Sequence, residues 1–481
     1  MNRVVVFPIG VLMIALGVLL IMPAIMDIVS GSGDWQAFAI SSIAAVSIGG
    51  LMLLSTFGWG FHLSRRDGYL LTIGCWLSLA IMAAVPFWVS DMHISFTDAV
   101  FESISGLTTT GSTVLTGLDT MPPGILLWRA MLQWIGGIGI IVMAVTLLPF
   151  LRVGGMQLYR METSDQYDKF MPRLADICIR ITIIYVALSI LCAATYWELG
   201  MTGFEAIVHA MTTLSTGGFS TSDQSMGHFA NPSIQWAAIL FMLAGSLPFS
   251  VYIRFIHRFK FNVFLRDSQT SGFLLYTALA ILGMTVFLAV NHPGGFLENL
   301  RQAAFNVVSV ISTTGYASSD YLTWGAGAAT LFFFLSMLGG CAGSTTGGLK
   351  AFRLFTMLKG SVRQGGKLMS PHCVQIIRMG DRQLSDDALS GVYLFFFVMM
   401  AVLGIITLGL TLTGLDFETS ISAAVTAIAN VGPGLGAIIG PAGNFEPLSD
   451  TAKWILDVAM LAGRLEFMTI LVLFVPDFWN A

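Results

Sequence analysis

The chain of 481 residues has 10% charged and 55% apolar side chains, with 23 basic against 27 acidic residues, and its mean hydropathy is +0.80. Soluble domains average about 25% charge, so a soluble fold is excluded, and at about 20 apolar residues per crossing the chain supplies around ten spanning helices. The near balance of charge points to no nucleic-acid surface.

Long unbroken apolar runs favour helices over the short alternating segments of a membrane β-barrel. In chain order, apolar segments at 4–28 and 37–63 form an N-terminal helix pair. A single arginine precedes the first, and no small-residue cleavage site stands before Asp27, as in a retained span. The pattern then repeats four times: a long apolar helix, a short segment ending in Ser, Thr and Gly, and a second long helix. The first helices are expected at 69–89, 177–197, 273–290 and 388–412, and the second at 124–151, 233–258, 324–358 and 451–475, ten spans in all. The units divide as 1–66 for the hairpin and 67–152, 153–266, 267–383 and 384–481 for the repeats. Cys75, Cys178, Cys192, Cys341 and Cys373 are scattered without a Cys-x-x-Cys, so neither a disulfide framework nor a thiolate metal site is indicated.

The short middle segments, 96–107, 203–214, 300–311 and 417–428, cannot cross a bilayer and read as re-entrant half-helices. They run into Thr108-Thr109-Thr110-Gly111, Ser215-Thr216-Gly217-Gly218, Ser312-Thr313-Thr314-Gly315 and Ala429-Asn430-Val431-Gly432. Thirteen residues before the first three glycines stand Asp98, Glu205 and Gln302, and copies one and three share Ala99/Ala303 and Phe101/Phe305. The repeat is internal though divergent.

With the N-terminus inside, 19 of the 23 basic residues fall in cytoplasmic segments, including Arg152, Arg160, the four from Arg254 to Arg266 and the seven from Lys350 to Arg382; this bias sets the orientation. The half-helices then enter from outside, near acidic residues such as Asp98, Asp119, Glu205, Asp223, Asp320 and Glu446. Such a vestibule concentrates cations.

Non-helical backbone at membrane depth is tolerated only in protein or along a water-filled path. Four copies imply a central axis, around which backbone carbonyls replace the hydration shell of an alkali cation. Glycine permits positive φ and leaves the axis clear, and the half-helices aim their partially negative C-termini there. The fold class is an all-α polytopic membrane protein with four pseudo-symmetric helix–pore loop–helix repeats around a central ion pore, plus an N-terminal helix pair.

Two features stand beneath that point. Gly339-Gly340-Cys341-Ala342-Gly343-Ser344-Thr345-Thr346-Gly347-Gly348 interrupts the second helix of repeat three, and at about 1 kcal/mol per glycine relative to alanine a continuous helix is disfavoured. A loop there obstructs the pore; its alternative reading is close helix packing through small residues. Gly348 is followed by Leu349 before Lys350, so it lacks the end of a phosphate loop. Arg464 lies about 20 Å along the last helix from Thr451, where a charge faces a polar interior or a partner, Glu466 and Asp457 being the ion-pair candidates. Arg129 is expected to pair with a carboxylate, Glu102 being one candidate, and Pro248 to kink the second helix of repeat two. The seven histidines share no metal-ligand spacing.

The whole chain resembles the Trk/Ktr/HKT superfamily of potassium transporters, and within it the TrkH-type bacterial membrane subunit. The specific matches are Gln133-Trp134-Ile135-Gly136-Gly137-Ile138-Gly139, Ser215–Ser220, Gly339–Gly348 and Asn430–Gly436. The resemblance implies a K⁺ pore in each subunit of a homodimer in the bacterial inner membrane. It also implies a separate TrkA-type cytoplasmic ring that binds nucleotide and regulates transport. Its filter glycines carry over to Gly111, Gly218, Gly315 and Gly432. Sodium-preferring plant relatives have serine at the first, so Gly111 favours potassium. The arginine matching Arg464 faces the pore, where it raises the barrier to K⁺. No copy spells Thr-Val-Gly-Tyr-Gly, so selectivity over Na⁺ is expected to be looser than in a true potassium channel. No organic cofactor is expected in this chain. The rival readings are a symporter coupling K⁺ or Na⁺ to H⁺, an intramembrane enzyme, for which no catalytic motif is visible, and a non-conducting receptor or scaffold.

Overall fold

The computed structural model describes residues 3–57, 64–146, 167–292, 294–370, 377–379 and 382–480. The expected helix ends at 63 and 151, together with Arg152, Arg160, His62, His372 and Cys373, lie outside them.

The N-terminal pair is built from α1 (Arg3–Leu19) running into α2 (Ile21–Ser30), and α3 (Trp35–Thr56). Gly10, Gly17 and Gly49 let α1 and α3 approach closely: a Cβ on Gly49 would lie 2.7 Å from the Gly10 carbonyl oxygen. The Ser42 hydroxyl donates to the Gly17 carbonyl at 2.6 Å, so small residues and one hydroxyl replace the hydrophobic driving force that lipid removes. Asp27 accepts from the backbone N–H of Gly124 at 2.6 Å and docks the pair on the first repeat.

Repeat one comprises α4 (Arg65–Val89), α5 (Phe96–Leu107) and α6 (Pro123–Thr146). Repeat two comprises α7 (Tyr167–Glu198), α8 (Gly203–Leu214) and the pair α9 (Pro232–Ser246) and α10 (Phe249–Arg258), followed by the short α11 (Asn262–Arg266). In repeat three, α12 (Ser268–Asn291) and α13 (Phe296–Ile311) precede α14 (Ala326–Met337) and α15 (Ala351–Met369), and a strand pair, β1 (Arg378–Met379) with β2 (Arg382–Gln383), follows. Repeat four has α16 (Asp386–Leu412), α17 (Phe417–Ala429), the single-turn α18 (Gly436–Ile439), α19 (Asp450–Arg464) and the terminal α20 (Phe467–Leu471) and α21 (Pro476–Asn480).

The half-helices α5, α8, α13 and α17 form the centre. Their C-terminal halves are buried, including polar Ser103, Ser105, Thr212, Thr213, Ser309 and Thr426. Their starts explain the thirteen-residue spacing. Asp98 and Glu205 are the third residues of α5 and α8, and their N–H groups donate to the N-cap hydroxyls of Ser95 and Thr202; Glu205 also completes a capping box. In α17 the cap is Asp416, which accepts from the Thr419 N–H at 3.0 Å. Copy three departs: α13 begins at Phe296, a turn before the expected residue 300, and Glu298 rather than Gln302 occupies its first turn.

Each second helix also packs on the half-helix of the next repeat: α6 on α8, α9 on α13, α14 on α17 and α19 on α5. The last of these contacts closes the ring.

Among the described residues, seven helices are long and apolar enough to cross a membrane, and the pair α9–α10, bent by 94°, adds an eighth. Three second helices are broken: those of repeats two and three at Pro248 and the glycine run, where interruptions are expected, and that of repeat four at Arg464, which corrects the expected 451–475. The 233–258 helix breaks at Leu247–Pro248, because proline cannot continue the hydrogen-bond ladder. The 451–475 helix ends at Arg464, followed by Glu466 at φ 63°. The 324–358 helix is divided by residues 338–350 at the glycine run.

Candidate functional site

The four Ser/Thr/Gly stretches adopt one conformation. The residue two before each glycine has positive φ, at Thr109 (53°), Thr216 (53°), Thr313 (55°) and Asn430 (55°). The glycines follow suit at Gly111 (86°), Gly218 (80°), Gly315 (79°) and Gly432 (106°). A β-branched residue with positive φ is strained, and such strain persists only where surroundings over-determine it. Here each half-helix supplies the restraint. Thr110, Gly217, Thr314 and Val431 donate their N–H groups to the carbonyls of Ser105, Thr212, Ser309 and Thr426, all at 2.9 Å.

The loops meet in cyclic order. A Cβ on Gly111 would strike the carbonyl oxygen of Gly217, one on Gly218 that of Thr314, and one on Gly315 that of Val431; one on Gly432 would press on that of Thr110. Each glycine therefore admits the carbonyl preceding the next glycine in the ring. All four glycines line one cavity of about 270 Å³ with Ser220, Asp223 and Asn444. At its rim the Ser222 hydroxyl holds Asp119 below the usual carboxylate range, so this acid stays negative at neutral pH.

Side chains behind the loops fix them. Thr108 and Thr110 share a hydrogen bond of 2.7 Å, repeated by Ser312 and Thr314. Arg129 donates to Glu102 at 2.7 Å with both side chains buried, as expected, and to the Ser220 carbonyl at 3.0 Å. This ties loops one and two. Sequence reading gave no role to Gln133 beyond its motif. It donates to the Gly217 carbonyl at 2.7 Å and accepts from the Phe219 N–H at 3.0 Å, and a buried glutamine inside an apolar helix was the available signal. Lys453, which carries no local sequence signal, meets Asp98 with its ammonium at 2.6 Å, joining repeats four and one. Asn430 donates to Thr110 at 2.9 Å across the same seam.

The glycine-rich loop lies directly behind the strands of loops two and three. The Gly347 N–H donates to the Thr313 hydroxyl at 2.8 Å, and Thr216 to Thr345 at 3.1 Å. The breaks in repeats two and three serve each other. Ending α9 frees its last carbonyls, and Ser246 accepts from the Cys341 N–H at 3.0 Å while Gly245 accepts from the Thr345 N–H at 3.3 Å. Gly339, Gly340, Gly343, Ser344, Thr346 and Gly348 complete the loop, and Gly339 is closed at its base by the Leu349 carbonyl at 3.0 Å.

Arg464 lines a small space with Gly343, Ser344, Thr346, Gly347 and Gly348. It is paired with neither candidate. Glu466 binds Arg353, both carboxylate oxygens of Asp457 lack hydrogen-bond partners among the described residues, and so do Nε, Nη1 and Nη2 of Arg464.

Four loops closed around one lumen on a scaffold of spanning helices define a polytopic pore-loop membrane protein. The family model described as "TrkH: Cation transport protein" matches residues 34–480, and the chain belongs to that family. It is 44% identical to the Trk system potassium uptake protein TrkI of Halomonas elongata over 98% of this chain and 96% of that one. It is 37% identical to the Trk system potassium uptake protein TrkH of Escherichia coli K12 over 98% of both. The crystal structure of the potassium transporter TrkH from Vibrio parahaemolyticus superposes with a TM-score of 0.91 at 34% identity, covering 100% of both chains. These relatives are transport proteins, not enzymes.

Gly218→Ala adds a methyl group at positive φ against the Thr314 carbonyl and is expected to lower cation flux into liposomes about tenfold or more, with unchanged gel-filtration behaviour. Glu102→Ala strands the buried Arg129 charge and is expected to cost about 3–5 kcal/mol, read as earlier unfolding of the detergent-solubilised protein.

Proposed function

We propose that this protein takes up potassium across the bacterial inner membrane through the ring of four loops. K⁺, the cargo, sheds water against the backbone carbonyls of residues 108–111, 215–218, 312–315 and 430–432. The observation that carries the reading is the cyclic glycine-to-carbonyl contact, since carbonyls converging on one lumen replace a hydration shell. The potassium uptake proteins to which the chain is similar supply the ion. We place the N-terminus in the cytoplasm on the basic bias of the segments assigned there. We assign the mature assembly as a homodimer whose basic cytoplasmic loops dock a TrkA-type nucleotide-binding ring; the family resemblance supports both.

Residues 339–348 and Arg464 form the gate in this reading. The loop is bonded to the filter's rear by Thr313 and Thr216, and the unpaired guanidinium stands beside it, where a fixed positive charge raises the barrier to a cation. Purified chain in liposomes should pass K⁺ in preference to Na⁺, and Arg464→Ala should raise the rate several-fold. Absence of K⁺ flux from a correctly folded, partner-free preparation and from one supplied with its regulatory ring would refute the reading.

The unpartnered carboxylate of Asp457 favours one second reading, proton-coupled symport, because intramembrane carboxylates without partners mark proton or ion pathways. Under opposed K⁺ and H⁺ gradients, passive conduction predicts a reversal potential set by K⁺ alone. Coupling predicts a shift with pH that Asp457→Asn abolishes.

A further inference from the structure

We infer that the space between Arg464 and the glycine-rich loop is a binding site for one monovalent, halide-sized anion that holds the loop against the filter. The location rests on the pore reading above; the site itself does not.

Three observations converge. Arg464 is 3% exposed, and none of its side-chain nitrogens has a hydrogen-bond partner among the described residues. A guanidinium offers five N–H donors, and a buried charge without a partner is among the costliest arrangements in a protein. Second, the lining has an excess of positive charge: Lys350, Arg353 and Arg464 face the single carboxylate of Glu466, already engaged by Arg353. Lys350 is turned to Thr346, whose hydroxyl accepts from it at 3.0 Å. The nearest other acid on the same helix, Asp457, stands two turns away, about 10 Å along the axis. Third, the space is small, about 40 Å³. That is room enough for a single small ion.

Chloride meets all three conditions. It accepts from several N–H groups at once and neutralises the buried guanidinium. Sitting between α19 and the loop, it links a gate element of repeat four to one of repeat three. Bound anion thus favours the obstructed state by as much as its affinity for that state exceeds its affinity for the open one.

Bromide is the direct probe. Crystals of the full-length protein soaked in bromide should show an anomalous peak in contact with the Arg464 guanidinium, lost in Arg464→Gln and in the more conservative Arg464→Met. Absence of that peak, in crystals where bromide is seen elsewhere, overturns the proposal. For the latch, K⁺ current in planar bilayers is measured with chloride or gluconate on the face opposite the vestibule. Replacing chloride by gluconate should raise wild-type current about fivefold or more, the lower range of ordinary site-to-site coupling, and leave Arg464→Gln unchanged. Wild-type current that ignores the anion overturns the latch. Failure of the pore reading has a separate signature, no K⁺ current in either salt, and it leaves the bromide result standing.

Discussion

The absence of a side chain at four positions is the constraint on which the molecule depends. Gly111, Gly218, Gly315 and Gly432 each lie where a Cβ would meet the backbone carbonyl of the next loop, and each has positive φ. One methyl group would both strain the strand and part it from its neighbour. The ring is consequently a backbone construction, and its surroundings exist to hold backbone in place. The 2.9 Å hydrogen bonds from the strands to their half-helices recur in all four copies although the residues making them differ.

Glycines outside the filter extend the same logic. In repeats one, two and four a glycine of the second helix, Gly136, Gly245 or Gly463, lies against a carbonyl near the end of its own half-helix, at Leu107, Leu214 or Ile428. Repeat three departs, and its second helix is the one opened into the long loop. The exception that breaks the fourfold pattern is therefore also the segment that reaches back to the ring of loops at Thr313 and Thr216. The freed carbonyls of α9 are satisfied by that loop, so the 94° bend in repeat two and the interruption in repeat three form one coupled feature.

Most buried charges are matched. Arg129 is paired with Glu102 and Arg353 with Glu466, while Arg464 and Asp457 remain without hydrogen-bond partners among the described residues. Unmatched charge in a spanning segment is costly, and Arg464 carries it beside the glycine-rich loop.

Composition and hydropathy determined the all-helical membrane class, because a bilayer leaves few ways to satisfy a backbone. Hydroxyl and glycine strings at equal places determined which residues meet in the ring of loops, because repeats share local geometry. The Glu102–Arg129 pair and the Pro248 break were legible for similar local reasons. Helix continuity in repeat four was not, since apolarity runs across the break at Leu465. Gln133, Lys453 and Asn430 act on strands distant in sequence, and only tertiary structure brings them there. The loops' cyclic order, and whether Arg464 met Glu466 or nothing, were likewise decided by packing between repeats, which one-dimensional periodicity does not encode.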